Sequence, residues 1–335
     1  MYKAIVRPVL FKIDPENVHE LLFNGLKTYK HLSPVRAICR NNYCNTQKIH
    51  LRNMELANRI GLAAGFDKAA EVYDELADFG FGFIEIGTVT PHAQTGNPKP
   101  RIFRLVEDNS LISRTGFNNP GIEVIADRLK AHSERSYVLG ANINRDPSST
   151  GEQLISDVIY GFNTLYDLVD YFTINWGSIE PEDFKLVCER LESERATKSV
   201  SKNIFIKLPA DIPTDVLDKV IDLAKANHIN GFIATGPTMD RSLLTHLNKE
   251  ESDKLGAGGV SGKGIGEKSR NIIRYLAQHA GDEFILIGAG GIMTPKDAKA
   301  MIEAGADLIQ IYSAFIYSGP GIVREMNNAI EKHIK

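Results

Sequence analysis

Eight short apolar runs recur along the chain from Arg59 onward, most of them followed by a stretch with amphipathic-helix spacing. They cover residues 60–66, 83–89, 137–143, 171–176, 204–208, 231–235, 284–288 and 308–313. Most are continuous rather than alternating, which suits parallel strands covered on both faces. Thr294-Pro-Lys-Asp297 opens one intervening helix, with Thr294 as N-cap, Pro295 at the first helical position and Gly305 ending it. Another follows the acidic turn at Asp211–Asp215, where Val216, Leu217, Val220, Ile221 and Leu223 share a face. Eight strand–helix pairs predict an α/β fold, a closed (β/α)8 TIM barrel with its chemistry at the C-terminal ends of the strands. A doubly wound open sheet is the alternative. It calls for an early GxGxxG, and Gly61-Leu-Ala-Ala-Gly65 does not fit that pattern.

Residues 1–50 precede the barrel, which is expected over 51–335. Residues 15–32 read as a helix, with Val18, Leu21, Leu22, Leu26 and Tyr29 at three- and four-residue steps. That stripe either packs on the barrel or lies on a bilayer, and periodicity does not separate the two. No run of about 18 apolar residues predicts a transmembrane helix, and the first ten residues lack a signal-peptide core. The formal net charge of −3 leaves no basic excess to neutralise phosphates, so nucleic acid is not an expected partner. Cys39, Cys44 and Cys188 form neither a disulfide framework nor a CxxC site, and reduced thiols in a cytosolic setting are expected. HExxH, DxDxDG and carboxylate clusters are absent, so no metal is expected.

Polar and small residues gather where the strands end. Ala63-Ala-Gly-Phe-Asp-Lys68 offers small residues that let a flat cofactor approach the backbone, and one lysine. Thr88 and Thr90, Asn142, Asn175 with Ser178, and Thr235-Gly236 follow at the next strand ends. Lys207 lies inside an apolar strand, where an unpartnered charge is costly, so a ligand is expected beside it. Gly256-Ala-Gly-Gly-Val-Ser-Gly262, Gly288-Ala-Gly-Gly291 and Tyr312-Ser313 then accumulate late in the chain. Barrels hold phosphates with such loops and a short helix, so a phosphate-bearing ligand is expected there. The histidines are scattered; His19 and His92 are the two to follow.

These residues resemble the class 2, membrane-associated dihydroorotate dehydrogenases over almost the whole chain. The likeness is carried by Leu10-Phe-Lys-Ile-Asp-Pro15, Gly61–Lys68, Glu85-Ile-Gly-Thr-Val-Thr-Pro91, Gly96-Asn-Pro-Lys-Pro-Arg-Ile-Phe-Arg104, Gly116-Phe-Asn-Asn119, Asp240-Arg-Ser242, Gly258-Gly-Val-Ser-Gly262, Gly290-Gly-Ile292 and Gln310-Ile-Tyr-Ser313. The resemblance implies FMN held by Ala63, Ala64, Gly65, Phe66, Asp67, Thr88, Asn142, Asn175, Lys207 and Thr235, with Gly262, Gly291, Tyr312 and Ser313 at its phosphate. It implies Ser178 as the catalytic base, where class 1 relatives use cysteine. It also implies substrate contacts from Lys68, from Ser113, Arg114, Thr115, Gly116 and Phe117, and from Asn175, Glu180, Gly236 and Pro237. Oxidation of dihydroorotate, quinone as acceptor, and a peripheral cytoplasmic-side seat on the membrane through the N-terminal helix are the expected function, partners and location.

The substrate set departs from the family pattern. Ser113, Glu180 and Gly236 stand where asparagines are usual, and Asn144-Arg-Asp146 replaces a Gly-Lys-Asn. Two other readings are therefore carried forward: an FMN-dependent oxidoreductase acting on another substrate, and an FMN-binding protein without dihydroorotate turnover.

Overall fold

The structure is a computed structural model that describes residues 2–44, 48–131, 135 and 137–334, apart from the side chains of Ser178 and Lys249. All eight anticipated strands are present: β1 (Ile60–Leu62), β2 (Phe83–Val89), β3 (Val138–Ile143), β4 (Tyr171–Asn175), β5 (Asn203–Leu208), β6 (Gly231–Ala234), β7 (Ile285–Ala289) and β8 (Leu308–Ile311). Each pairs in parallel with the next in sequence, and β8 pairs with β1 to close the barrel. Helices follow as the sequence reading expects. Thr294 caps Pro295–Glu303 in a reciprocal pair with Asp297, and Thr214–Ala226 carries Leu217, Val220, Ile221 and Ala224 into the core.

Strand side chains alternate between the surrounding helices and the barrel interior, so function is set by a period of two. The lowest interior layer is apolar: Phe83, Val138, Tyr171, Phe205, Ile233, Ile285 and Leu308. A hairpin, Ile49–Leu51 paired with Met54–Leu56, plugs that end through Met54 and Leu56. Two residues further along the strands the interior turns polar, with Glu85, Thr173, Lys207 and Gln310. Gly140 lies between these layers because the Tyr171 ring crosses there; a Cβ at 140 would stand 2.0 Å from that ring.

The segment before the barrel forms a short coil of helix, Tyr2–Val6 and Arg7–Leu10, then α1 (Pro15–Tyr29) and α2 (Ser33–Tyr43). Asp14 starts α1 by accepting from the Glu16 and Asn17 amides. The apolar stripe of α1 divides between two faces. His19, Phe23 and Leu26 turn toward the barrel, while Leu21 and Leu22 are exposed. Both readings of the helix therefore have their own residues.

Docking of this segment is mostly ionic. Asp78, 3% exposed, accepts from Arg36 Nε at 2.6 Å, Arg40 Nε at 2.5 Å and the Tyr29 hydroxyl at 3.0 Å. Arg36 also reaches Asp74 at 2.8 Å, and Lys27 pairs with Glu71 at 2.6 Å. Burial alone would lower the Arg36 pKa, but Asp78 and Asp74 hold it above its ordinary value. At the other end the Tyr2 hydroxyl donates to Ile316 O at 2.6 Å, Arg7 to Tyr317 O at 3.3 Å, and Phe11 meets the Tyr317 ring edge-on. Arg104 stacks over Phe11 and donates to Leu10 O.

Asp78→Ala leaves the little-exposed Arg36 guanidinium without its main partner. We expect a loss of about 3 kcal/mol in denaturant unfolding, with α1 and α2 becoming the first targets of limited proteolysis. Unchanged stability and an unchanged cleavage pattern would show that the ionic contacts do not hold the segment.

Candidate functional site

A cavity opens at the C-terminal ends of the strands. Its walls come from β1 (Ala63, Ala64, Gly65, then Lys68), from β5 and β6 (Lys207, Thr235, Gly236, Pro237) and from β7 and β8 (Ala289, Gly290, Gly291, Gln310, Tyr312, Ser313). An antiparallel sheet of Ile102–Leu105, Ser110–Ser113 and Gly259–Gly262 roofs it, contributing Ile102, Leu111, Ser113, Ser261 and Gly262.

One end of the cavity is built of backbone. Gly291 has φ +71°, and a Cβ there would stand 2.1 Å from Gly266 Cα, at the start of the helix Gly266–His279. No described main-chain acceptor takes the Gly290 or Gly291 N–H. Opposite, Ser313 begins a helix, Ser313–Ser318, with no side-chain cap, so its first amides have no intrahelical partner. The Ser313 and Ser261 hydroxyls are 3.5 Å apart. Converging N–H groups and hydroxyls of this kind form an anion seat.

The other end carries charge. Lys207 is 9% exposed, and no hydrogen bond or ion pair joins its ammonium to a described residue. An ammonium enclosed without a counter-charge is a site for a ligand's electron-rich edge. Lys68 donates to Asn118 Oδ1 at 2.6 Å. Burial pushes its pKa down to about 8, helped by the Arg101 charge and opposed by Glu16.

Beneath lies a network centred on Glu85. The Asn142 amide donates to its Oε1 at 3.0 Å; Gln310, Thr173 and Tyr171 donate to its Oε2 at 2.8, 3.0 and 3.2 Å. The Thr88 hydroxyl donates to Asn142 Oδ1 at 2.7 Å. Burial, then the Glu85 charge, raises the Tyr171 phenol well above its usual pKa.

A second cavity separates α1 from the barrel top and shares Gly65, Lys68, Ile102, Thr115 and Tyr312 with the first. His19 lies on its α1 side, 4.1 Å from the Phe23 ring and 5.6 Å from Phe66. Burial and the nearby Lys68 charge push His19 down to about 4, so the ring is neutral at pH 7. Arg101 ties the wall to α1 through Glu16, at 2.7 Å.

Most of the anticipated residues converge, and some do not. Ala63, Ala64, Gly65, Lys68, Ser113, Thr115, Lys207, Thr235, Gly236, Pro237, Gly262, Gly291, Tyr312 and Ser313 line the first cavity. Thr88, Asn142 and Asn175 stand at the adjoining strand ends, outside that lining, with Asn175 in register with Lys207. Phe66 packs into the core against Tyr312 and Phe315. Asp67 accepts from the Glu71 and Val72 amides, so its carboxylate holds the loop after β1. Arg114 is turned away, donating to Leu255 O, Ala257 O and Pro100 O. Gly116 and Phe117 form the adjoining turn, both at positive φ. Glu180 is exposed and precedes the helix Pro181–Ala196, away from the lining. The Ser178 side chain lies outside the described residues; its backbone ends the turn Trp176–Ser178. His92 forms a pair with Asp146 at 2.5 Å, its ring largely exposed. The sequence assigns no role to Gln310, Ser261, Asn118 or Glu85, although Gln310 and Glu85 share the two-residue period of the interior side chains.

A closed parallel barrel with a backbone anion seat, a lone enclosed lysine and a polar floor at its strand ends defines an α/β-barrel enzyme with its site at the C-terminal face. The family model described as dihydroorotate dehydrogenase matches residues 46–334. A Christiangramia forsetii protein named dihydroorotate dehydrogenase (quinone) is 38% identical, over 98% of each chain. One of the same name from Idiomarina loihiensis is 36% identical, over 96% of this chain and 98% of that one. An Eimeria tenella DHODH, crystallised with ferulenol, superposes with a TM-score of 0.82 at 26% identity, covering 96% of this chain and 92% of that chain. The chain belongs to the dihydroorotate dehydrogenase family.

Lys207→Met removes an unpartnered enclosed charge while nearly keeping its volume. The ligand-free protein should gain about 1 kcal/mol in stability while losing affinity for the cavity's ligand. A variant less stable than the parent would show that Lys207 has a structural partner.

Proposed function

We propose that the protein oxidises dihydroorotate to orotate with FMN and passes the electrons to a quinone. The observation that carries this is one cavity joining a glycine and serine anion seat to a lone lysine, in a chain of this family. The residues suit FMN on two counts. The Gly291 turn leaves no room for side chains and presents amides without a main-chain acceptor among the described residues, as a phosphate requires. Lys207 has no counter-charge of its own and stands where the ring would carry negative charge.

When bound, FMN supplies the acceptor for the hydride that leaves C6 of dihydroorotate. The protein's part is to hold the substrate and take the C5 proton. Lys68 is the cation for the substrate carboxylate, fixed by Asn118. Ser178 is the proposed base, at the end of β4, and the Ser178→Ala variant should keep FMN but lose turnover. Quinone would enter through the second cavity, whose shared wall at Gly65 and Tyr312 brings it beside the first.

A second reading rests on the substrate wall. Ser113 and Gly236 line the cavity, and a Cβ at 236 would meet only Leu208 O, at 3.6 Å. That space favours a related substrate with a larger ring substituent. Anaerobic mixing of the yellow holoprotein with dihydroorotate decides between them. Bleaching of the flavin absorbance supports the first reading; a flavin that stays oxidised yet is bleached by dithionite overturns it. Protein that binds no FMN at all overturns both.

The same experiment has a pH signature. Lys68 binds an anion only when protonated, and its pKa is about 8. Half-saturating dihydroorotate should be flat below pH 8 and rise about tenfold per unit above it, since each unit removes most of the remaining ammonium. A flat profile through pH 9.5 would take Lys68 out of the binding role.

Membrane contact rests on surface chemistry. Nine of the sixteen exposed large hydrophobics among the described residues fall between Ile5 and Ile38, including Leu21 and Ile38. Among the described residues no helix is long and apolar enough to cross a membrane. An apolar face of this kind would lie in the interface. Leu21→Glu with Ile38→Glu should abolish co-sedimentation with liposomes without changing FMN content. Full retention on liposomes would leave these side chains without a membrane role.

A further inference from the structure

The Glu85 network has one loose end. Gln310 is 1% exposed, lines the first cavity, and donates through Nε2 to Glu85 at 2.8 Å. Its Oε1 is buried without a hydrogen-bond partner among the described residues. A buried carbonyl oxygen left unpaired is destabilising, and such an atom at a cavity wall marks a place where a ligand supplies the donor. The amide is not free to turn over. A carboxylate accepts only, so the nitrogen must face Glu85 and the oxygen must face away. Three further donors, from Asn142, Tyr171 and Thr173, hold that carboxylate in place.

We infer that Glu85 is a positioning residue that locks the Gln310 amide so that Oε1 stands as an acceptor for an imide N–H of the bound ring. This rests on the FMN reading and assigns the N3–H of the flavin pyrimidine ring to that oxygen. The carboxylate itself touches no ligand. It acts through Gln310 on one edge and through Asn142, whose amide it orients beside Thr88, on another. A glutamine at 85 undoes the lock in a definite way. It offers one acceptor and one donor; with its nitrogen toward Gln310, the Tyr171 and Thr173 hydroxyls rotate to suit and the Gln310 amide turns over. The cavity then meets the ring N–H with a donor instead of an acceptor.

The test is binding of FMN and of N3-methyl-FMN to full-length protein stripped of flavin, followed by flavin fluorescence. Wild type should bind the methylated ring about tenfold more weakly, the factor for one net hydrogen bond near the top of its usual range. Gln310→Ala should lose about tenfold in FMN affinity and discriminate little between the two flavins. Glu85→Gln should behave as Gln310→Ala does, although residue 310 is intact. The exchanged pair, Glu85→Gln with Gln310→Glu, restores an accepting oxygen at the cavity and should recover both affinity and discrimination, a coupling that separate losses of packing would not give. Equal binding of the two flavins by wild type overturns the assignment while leaving FMN as cofactor. Discrimination that persists in Gln310→Ala also overturns it, since the methyl group would then be excluded by something else. Should Glu85→Gln fail to fold, the wild-type and Gln310→Ala comparison decides alone. Failure of wild type to bind FMN refutes the cofactor reading instead.

Discussion

A carboxylate shut inside the barrel is the constraint from which the upper half of the molecule follows. Glu85 has no solvent, and the desolvation cost of a charge there is several kcal/mol unless donors replace the lost water. Four side chains from β3, β4 and β8 supply those donors. To reach it, Tyr171 crosses the barrel over a glycine, and Asn142 and Gln310 present their amides inward. The layer below is apolar and closed by the hairpin, so the network has no route to water from beneath. Above it, only the cavity remains. The floor on which a ring would rest is thus determined by what one carboxylate requires.

The segment before the barrel is held by the opposite principle. Its buried apolar surface is small: in α1 only Phe23 and Leu26 are buried, and in α2 no residue is. Arginines and a lysine instead meet Asp78, Asp74 and Glu71 on the barrel's flank. Ionic docking leaves Leu21 and Leu22 of α1 and Val35 and Ile38 of α2 outward and exposed. A segment fixed by packing would have used those side chains internally. Here the same helix can be rigid against the protein and greasy toward its surroundings.

Much of this was legible in the sequence because it depends on local rules. Continuous apolar runs between amphipathic stretches read as barrel strands, Thr294 with Pro295 and Asp297 read as a helix start, and Lys207 in an apolar strand read as a charge enclosed in the barrel. What escaped depends on contacts far apart in sequence. Glu85 and Gln310 are separated by 225 residues and become partners only when the barrel closes. Asp67 and Arg114 sit inside site motifs yet bind loop backbone, because a motif fixes chain position and not the direction a side chain takes. Leu21 and Leu22 share the spacing of Leu26, so the sequence reads as one stripe, but His19, Phe23 and Leu26 turn to the barrel and Leu21 and Leu22 do not.

The Tyr2 hydroxyl rests on the carbonyl of Ile316, 314 residues away. During synthesis the first apolar turns leave the ribosome long before their seat exists. At about 5–20 residues per second the wait is on the order of 15–60 s. Through that interval the turns Tyr2–Val6 and Arg7–Leu10 stay without the carbonyls of Ile316 and Tyr317 that hold them. The helix Ser313–Ser318 is therefore assembled late, against a segment made at the outset, with only the helix Gly321–Ile334 to follow.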